Sequence, residues 1–335
     1  MPLTAPLPSP VYLQAGWNGY FKPLKGGATV IVPKHAFFQG KIVPYSEAKV
    51  GVLTHGLNYG TAVFAGMRAF WNEQEKQLFL FRPGDHFRRF LNSAKVMCME
   101  LGQTAESLTQ VTIELLRVDG YQRDVYVRPL AYKADEVIGV KLHDLRDEFS
   151  IVAVPFDRYV ANDTNAHVTI SSWRRVDDNA IQARGKIAGA YANSALVKTD
   201  AVRAGFDEAL VLTQEGHVSE GSAMNVFMVQ GNTLITPPVT DNILEGITRR
   251  SVIELAREEL GLTVVERSID RTEVYLCDEF FMTGTAAQVT VVTRVDHRPI
   301  GNGAMGAIAA RLRQLFDDAV RGRLPKYRRW NVGVY

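Results

Sequence analysis

The sequence predicts an α+β protein built as two domains, and three observations predict it. The chain has 335 residues, which at ~150 residues per domain suggests about two domains. Short β-branched runs joined by tight turns stand beside clustered helical stretches, a pattern of hairpins rather than of a doubly wound parallel sheet. A polar, turn-rich stretch from Phe156 to Ala166 carries Asp157, Asn162, Asp163, Thr164 and Asn165, as an inter-domain loop does. The expected division is therefore a smaller N-terminal domain over 1–155, a loop over 156–166 and a larger C-terminal domain over 167–335.

Residues 1–24 are rich in Pro and Gly and read as irregular. Ala28–Val32 and Lys41–Val43 read as strands by β-branched content. A helix is expected with Asp85 as its N-cap after Pro83-Gly84, and Phe87, Phe90, Leu91, Ala94 and Cys98 form its core-facing stripe. A second helix spans Ala105 to Val118 and stops at Gly120. Asp124–Arg128 and Ser150–Val154 follow as strands. Beyond the loop come a helix from Ala188 to Ala204, then strands at Glu208–Leu212, His217–Ser219 and Asn225–Val229. Gln230-Gly231-Asn232 turns the chain into Thr233–Thr236. Helices are expected from Gly246 to Gly261 and from Ala307 to Val320.

Composition excludes several classes of function. Hydrophobic residues are 46% and charged residues 22%, ordinary globular values, and the net charge of +2 gives no bulk attraction to nucleic acid or anionic membrane. No apolar run approaches the ~18 residues of a membrane span, and the N-terminus has no secretory pattern. Cys98 and Cys277 each sit in an apolar run and read as buried thiols in a reducing compartment, so a cytoplasmic protein is expected. The seven histidines have no partner at metal-ligand spacing, so no metal site is expected. Gly301-Asn302-Gly303-Ala304-Met305-Gly306 fits G-x-G-x-x-G, but only 29 residues follow it, too few for a dinucleotide-binding half. It reads as a turn into a helix.

Four dispersed signals suit an anionic, carbonyl-bearing ligand, each with a plain alternative. Leu244–Arg249 opens a helix whose free N–H groups and Thr248 hydroxyl favour a phosphate; an ordinary capped helix start looks the same. Phe280–Ala287 runs a strand into a small-residue turn that lets backbone N–H groups approach an oxyanion, or simply turns the chain. Lys186, among the small residues of Ala183–Tyr191, is desolvated and nucleophilic, or else a solvated loop lysine. Glu220 lies between strands as a solvated turn residue, or is buried against a cation such as a pyridinium nitrogen.

Seven blocks in order resemble the fold-type IV pyridoxal-phosphate enzymes, most closely the branched-chain amino-acid aminotransferases. They are His55–Phe64, His86–Arg89, Tyr126–Leu130, Lys186–Tyr191, Ser219–Asn225, Glu245–Arg249 and Thr283–Ala287, and the resemblance runs from about Gly40 to Ala319. It implies pyridoxal 5'-phosphate as cofactor, held at the domain interface. It makes Lys186 the lysine that bonds the cofactor and then shuttles the substrate proton. Glu220 becomes the carboxylate on the ring nitrogen, and Tyr191 the phenol on the ring oxygen. Arg89 becomes the phosphate-binding arginine, with Gly246, Ile247 and Thr248 at the helix start and Thr285 completing the cup. Thr285 and Ala286 would meet the substrate carboxylate; Tyr59, Phe64, Arg128, Ile138 and Val140 would line the pocket, supported by Tyr126. By helical periodicity alone Arg89 faces away from the Phe87 stripe, toward solvent.

The implied reaction moves an amino group from leucine, isoleucine or valine to 2-oxoglutarate, in a homodimer whose neighbouring subunit lends a loop. An (R)-selective amine or D-amino-acid transaminase and an aminodeoxychorismate lyase-like enzyme are the rivals on the same fold. Arg128-Pro129-Leu130 lacks the D-specific R-x-H pattern. Ala65, Met67 and Phe156 depart from the residues common at those positions (Glu, Ile and Trp) and are expected to alter the pocket or its rim. The tail Lys326–Trp330 receives no role.

Overall fold

The computed structural model describes residues 21–23, 29–156 and 162–335. The irregular stretch expected over 1–20 and the Asp157–Ala161 part of the loop lie outside them. In chain order the elements begin with β1 (Phe21–Pro23), β2 (Thr29–Ile31), β3 (His35–Phe38) and β4 (Lys41–Pro44). Then come α1 (His55–Tyr59), β5 (Ala62–Phe64), β6 (Met67–Asn72), β7 (Gln77–Phe81), α2 (Pro83–Val96) and α3 (Ala105–Asp119). β8 (Val125–Lys133) and β9 (Asp147–Pro155) lead to β10 (Ala166–Arg174), α4 (Tyr191–Arg203), β11 (Glu208–Leu212) and β12 (Val218–Gly221). β13 (Asn225–Gln230), β14 (Thr233–Thr236), α5 (Ile247–Leu260), β15 (Thr263–Glu266), β16 (Glu279–Gly284) and β17 (Gln288–Val295) follow. β18 (Arg298–Pro299), α6 (Ala307–Val320) and β19 (Asn331–Gly333) end the chain.

Two large sheets result. The first has the order β19-β7-β6-β8-β9-β3-β4, with β5 also on β8, and all its pairings are antiparallel. The second runs β12-β11-β10-β17-β16-β13-β14-β15 and is mixed, because β10 pairs parallel with both β11 and β17, and β14 parallel with β15. β1 pairs with β2, so the stretch expected to be irregular up to residue 24 holds a short strand.

Helices α2 and α3 bury Phe87, Phe90, Leu108 and Leu115 against the first sheet. In the second sheet the two-residue period of a strand sorts the core. Phe281 faces α5 and α6, whereas Phe280 and Met282 face the opposite layer. The Phe281 ring stacks on Phe227 with centroids 5.1 Å apart.

Several helix ends differ from the sequence reading. Arg82, at φ +44°, is the N-cap of α2, and Asp85 lies in the first turn, where it pairs with Arg82, Arg88 and Arg250. Three cations compete for that carboxylate, so it does not cap. The helix stops at Val96, and Cys98, at φ +51°, is exposed rather than buried. The Met99 N–H closes onto the Ala94 carbonyl at 2.9 Å, and Met99 takes the core place expected for Cys98. Cys277 is buried. A short 3-10 turn over Ala188–Ala190 precedes α4. Gly120 and Gly261 close their helices in the left-handed region, as their positions after the last apolar residue predict.

The unassigned tail proves to be packing. Tyr327 and Trp330 are buried in the core under α5 and α6, and the guanidinium of Arg82 lies 4.0 Å from the Trp330 ring. Asn331–Gly333 then rejoins the first sheet beside β7.

Phe281→Ala empties a fully buried, stacked site and should lower unfolding stability by about 3–5 kcal/mol in denaturant titration.

Candidate active site

A cavity of about 820 Å³ lies between the two sheets. Phe64, Tyr126, Arg128, Leu130 and Val154 reach it from the first sheet and its flanks; Glu220, Asn225, Thr283 and Gly284 reach it from the second.

Lys186 enters this cavity on a tethered backbone. Its N–H donates to Ser93 Oγ at 3.0 Å, and its carbonyl accepts from the Phe64 N–H at 3.0 Å. Val63 and Ile187 form an isolated antiparallel bridge, so the lysine segment is laid along β5. The following turn passes Gly60, where a Cβ would stand 2.8 Å from the Gly189 Cα; Gly60 also holds φ +66°. That turn starts α4 at Tyr191, and places the Tyr191 hydroxyl 2.5 Å from Lys186 Nζ. Phe64 packs edge-on against Tyr191 at 4.7 Å between centroids.

Burial, reinforced by the charge of Arg89, holds the Lys186 amine well below its ordinary pKa, against the opposing pull of Glu220. Burial, with Glu220 adding to it, pushes the Tyr191 phenol up. Both shifts favour the neutral forms of the pair, amine and phenol.

Glu220 is buried on β12, and both of its oxygens have partners. Oε1 pairs with Arg175 Nη2 at 3.0 Å; Oε2 accepts from the Leu244 N–H at 3.1 Å and from Asn225 Nδ2 at 3.3 Å. Arg175 is itself fixed by an Nε–H donation to the Asn242 carbonyl at 3.0 Å. A buried carboxylate held this way presents negative charge to the cavity.

The third cluster is the start of α5. Gly246 is the N-cap, and no side chain caps the first turn, which leaves the N–H groups of Ile247 and Thr248 for a ligand. Gly246 must lack a side chain, because a Cβ there would lie 2.0 Å from Asn225 Oδ1. Arg89 Nη1 donates to the Glu245 carbonyl at 2.8 Å, so the guanidinium stands at this helix start and in the cavity wall, not in solvent as periodicity suggested. The helix dipole and the cation together suit a dianion.

Other expected residues divide. Ala286 lines the cavity. Thr285 does too, but its hydroxyl already donates to the Gly66 carbonyl at 3.1 Å. Arg128 donates to the Tyr126 hydroxyl at 3.0 Å, with its guanidinium 4.6 Å from the Phe64 ring centroid. Tyr59, Ile138 and Val140 do not line the cavity of this chain; Ile138 is 87% and Val140 78% exposed. Ala65 and Met67 do not alter the pocket either. Both are buried in the core under α2, because Phe64 and Gly66 take the cavity side of the extended chain. Only Phe156 of the three departures lies in the wall.

Arg175 and Ser93 escaped the sequence reading. Arg175 sits in the charged run Trp173-Arg174-Arg175, and nothing local separates it from a surface arginine. Among the described residues no group of three or more His, Cys, Asp or Glu is placed to hold a metal ion. No helix there is long and apolar enough to cross a membrane.

The donor set fits a phosphorylated aromatic aldehyde with a basic ring nitrogen. It offers a buried amine for the carbonyl carbon, a carboxylate for the ring nitrogen, a phenol for a ring oxygen, and a cation with an open helix start for the phosphate.

Comparisons with known proteins agree with this chemistry. Residues 62–295 match the family model for amino-transferase class IV. A probable branched-chain-amino-acid aminotransferase of Aquifex aeolicus (strain VF5) is 47% identical over 300 residues, 90% of this chain and 96% of that protein. The crystal structure of a branched-chain aminotransferase from Thermoproteus uzoniensis with norvaline has TM-score 0.87 at 38% identity, covering 91% of this chain and 100% of that one. The branched-chain amino acid aminotransferase from Thermobaculum terrenum, in its PLP-bound holo-form, has TM-score 0.86 at 39% identity, covering 90% of this chain and 99% of that one. With its two sheets, its buried lysine and matches spanning most of its length, this chain belongs to the class IV aminotransferases and carries their fold.

Proposed function

We propose that the protein is a pyridoxal 5'-phosphate-dependent transaminase that moves the amino group of a branched-chain L-amino acid to 2-oxoglutarate. The observation that carries the reading is the buried Lys186 amine, 2.5 Å from the Tyr191 phenol, in a cavity that also holds Glu220 and Arg89. The names of the relatives support the substrate class. So does the wall, where Phe64, Leu130, Val154 and Phe156 suit an aliphatic side chain. Arg128 suits the second carboxylate of 2-oxoglutarate, since its hydrogen-bond partner among the described residues is a phenol.

When bound, the cofactor supplies an electron sink for the substrate Cα carbanion. In our reading Lys186 carries it and, once released, its amine takes the Cα proton as general base. Glu220, paired with Arg175, would hold a proton on the ring nitrogen. Tyr191 hydrogen-bonds the ring oxygen and the Lys186 amine. Arg89, Gly246, Ile247 and Thr248 hold the phosphate, and the backbone N–H groups of Thr285 and Ala286 orient the substrate carboxylate, the Thr285 hydroxyl proton being given to the Gly66 carbonyl and not to the phosphate.

Tyr59, Ile138 and Val140 belong, in this reading, to the cavity of a second copy. Val52 and Leu57 are exposed beside them at 81% and 63%. His55 holds this face together through Thr61 Oγ1 at 2.7 Å and the Gly139 carbonyl at 2.8 Å, and the Gly139 N–H donates to the Tyr59 hydroxyl at 3.1 Å. An apolar surface so arranged suits a homodimer. We further read 1–155 as the smaller domain, 156–166 as the loop and 167–335 as the larger domain. The passage from the first sheet to the second between Pro155 and Ala166 supports this, with Asn331–Gly333 crossing back. Two cysteines outside any disulfide are consistent with a cytoplasmic site of action.

With 2-oxoglutarate as acceptor, L-leucine should be consumed in a panel that also offers D-alanine and (R)-1-phenylethylamine; turnover of D-alanine alone would overturn the L-selective reading. Lys186→Ala should slow steady-state transamination by about 10⁴-fold, while borohydride reduction of the unaltered holoenzyme should label the peptide containing Lys186. Light scattering should give at least twice the 37.3 kDa chain mass, and a monomer at assay concentration would remove the dimer.

A further inference from the structure

Ser93 lies on α2, one turn beyond Arg89, and is 1% exposed. Its hydroxyl has a single proton, which it donates to the Arg89 carbonyl at 2.8 Å. That bond is an ordinary habit of serine inside a helix. It also fixes the hydroxyl's orientation, so that a lone pair accepts the backbone N–H of Lys186 at 3.0 Å across 93 residues of sequence. This second bond belongs to no helix or strand ladder.

The contact closes a chain of restraints. Arg89 donates to the Glu245 carbonyl at 2.8 Å, at the start of α5. Ser93 ties the backbone of Arg89 to the backbone of Lys186, and the Lys186 carbonyl accepts from Phe64 at 3.0 Å. Both backbone polar groups of the lysine are thus engaged, one to the helix that carries Arg89 and one to β5.

We infer that Ser93 is a positioning residue that sets the span between Arg89 and Lys186. This rests on the proposed roles of those two residues toward the cofactor. A small aromatic ligand holds its phosphate and its aldehyde carbon at a nearly fixed separation, so the protein must hold their partners at a matching one. Removing the hydroxyl leaves the Lys186 N–H buried and unpaired, and the lysine segment settles by moving relative to α2. The change is felt first in cofactor retention.

The test uses full-length Ser93→Ala and Ser93→Thr, the latter keeping a hydroxyl that can make the same helix bond. Three quantities are measured: the dissociation constant for pyridoxal 5'-phosphate by equilibrium dialysis, the pH midpoint of the bound cofactor's absorbance, and the thermal midpoint of the apoprotein. Ser93→Ala should weaken cofactor binding by about tenfold or more and move the absorbance midpoint, with Ser93→Thr close to the unaltered protein. Ser93→Ala binding within about twofold with an unmoved midpoint, or Ser93→Thr failing as badly as Ser93→Ala, would overturn the inference. Should Ser93→Ala not fold, Ser93→Cys, close in shape and a weak acceptor, is held to the same thresholds. Labelling of a residue other than Lys186 in the unaltered holoenzyme would instead remove the proposed function. Labelling at Lys186 with Ser93→Ala unaffected would remove only the role of Ser93.

Discussion

A primary amine taken out of water beside a guanidinium holds its proton less tightly, and the rest of this site is arranged around that fact. Lys186 is held in the cavity by its own backbone, with Arg89 near enough to disfavour an ammonium. Glu220 opposes that effect, yet its charge is drawn off by Arg175, the Leu244 N–H and Asn225. Without that compensation the carboxylate would stabilise the ammonium. The arginine behind Glu220 thus pairs with the carboxylate and, by its own charge, weakens the carboxylate's hold on the lysine.

Holding these groups in place requires that the two sheets keep a constant relation. Asp124, at the start of β8, accepts from Arg321 at 3.0 and 2.8 Å through its two oxygens, and from Arg68 at 3.4 Å. Arg68, 1% exposed, also donates to the Phe156 carbonyl at 2.5 Å, where the chain leaves the first sheet. Arg321 follows α6, which packs on the second sheet. A partly buried, multiply bonded ion network between layers is a specific fastener, since a shifted register would strand its charges. The returning strand Asn331–Gly333 and the buried Tyr327 and Trp330 add apolar contact to the same junction.

The elements that the sequence made legible are those governed by local rules. Period-two strands, the Gly231 hairpin and the glycine-closed helices at Gly120 and Gly261 all depend on residues within a few positions of one another. The seven blocks, read as a resemblance, pointed to Lys186, Tyr191, Glu220 and the α5 start, which the fold does bring to one cavity. Local rules failed where a distant charge intervened. Asp85 reads as a cap but answers to Arg82, Arg88 and Arg250, and the last of these is on another helix. Arg89 reads as solvent-facing until α5 is packed against its face.

The sequence by itself determined α2, α3, α4, α5 and α6 to within a few residues of their ends, several of the strands, and the residue types a transaminase needs, but left β3, β6, β7, β10 and β17 unread. Those are properties of covalent geometry and of side chains in order along the chain. Only the tertiary structure decided that Arg175 stands behind Glu220, that Ser93 ties the helix of Arg89 to Lys186, and that Ala65 and Met67 belong to a core instead of a pocket. Each of these depends on a contact between segments far apart in sequence. Such contacts exist only once the sheets and helices have folded together, and no local pattern encodes them.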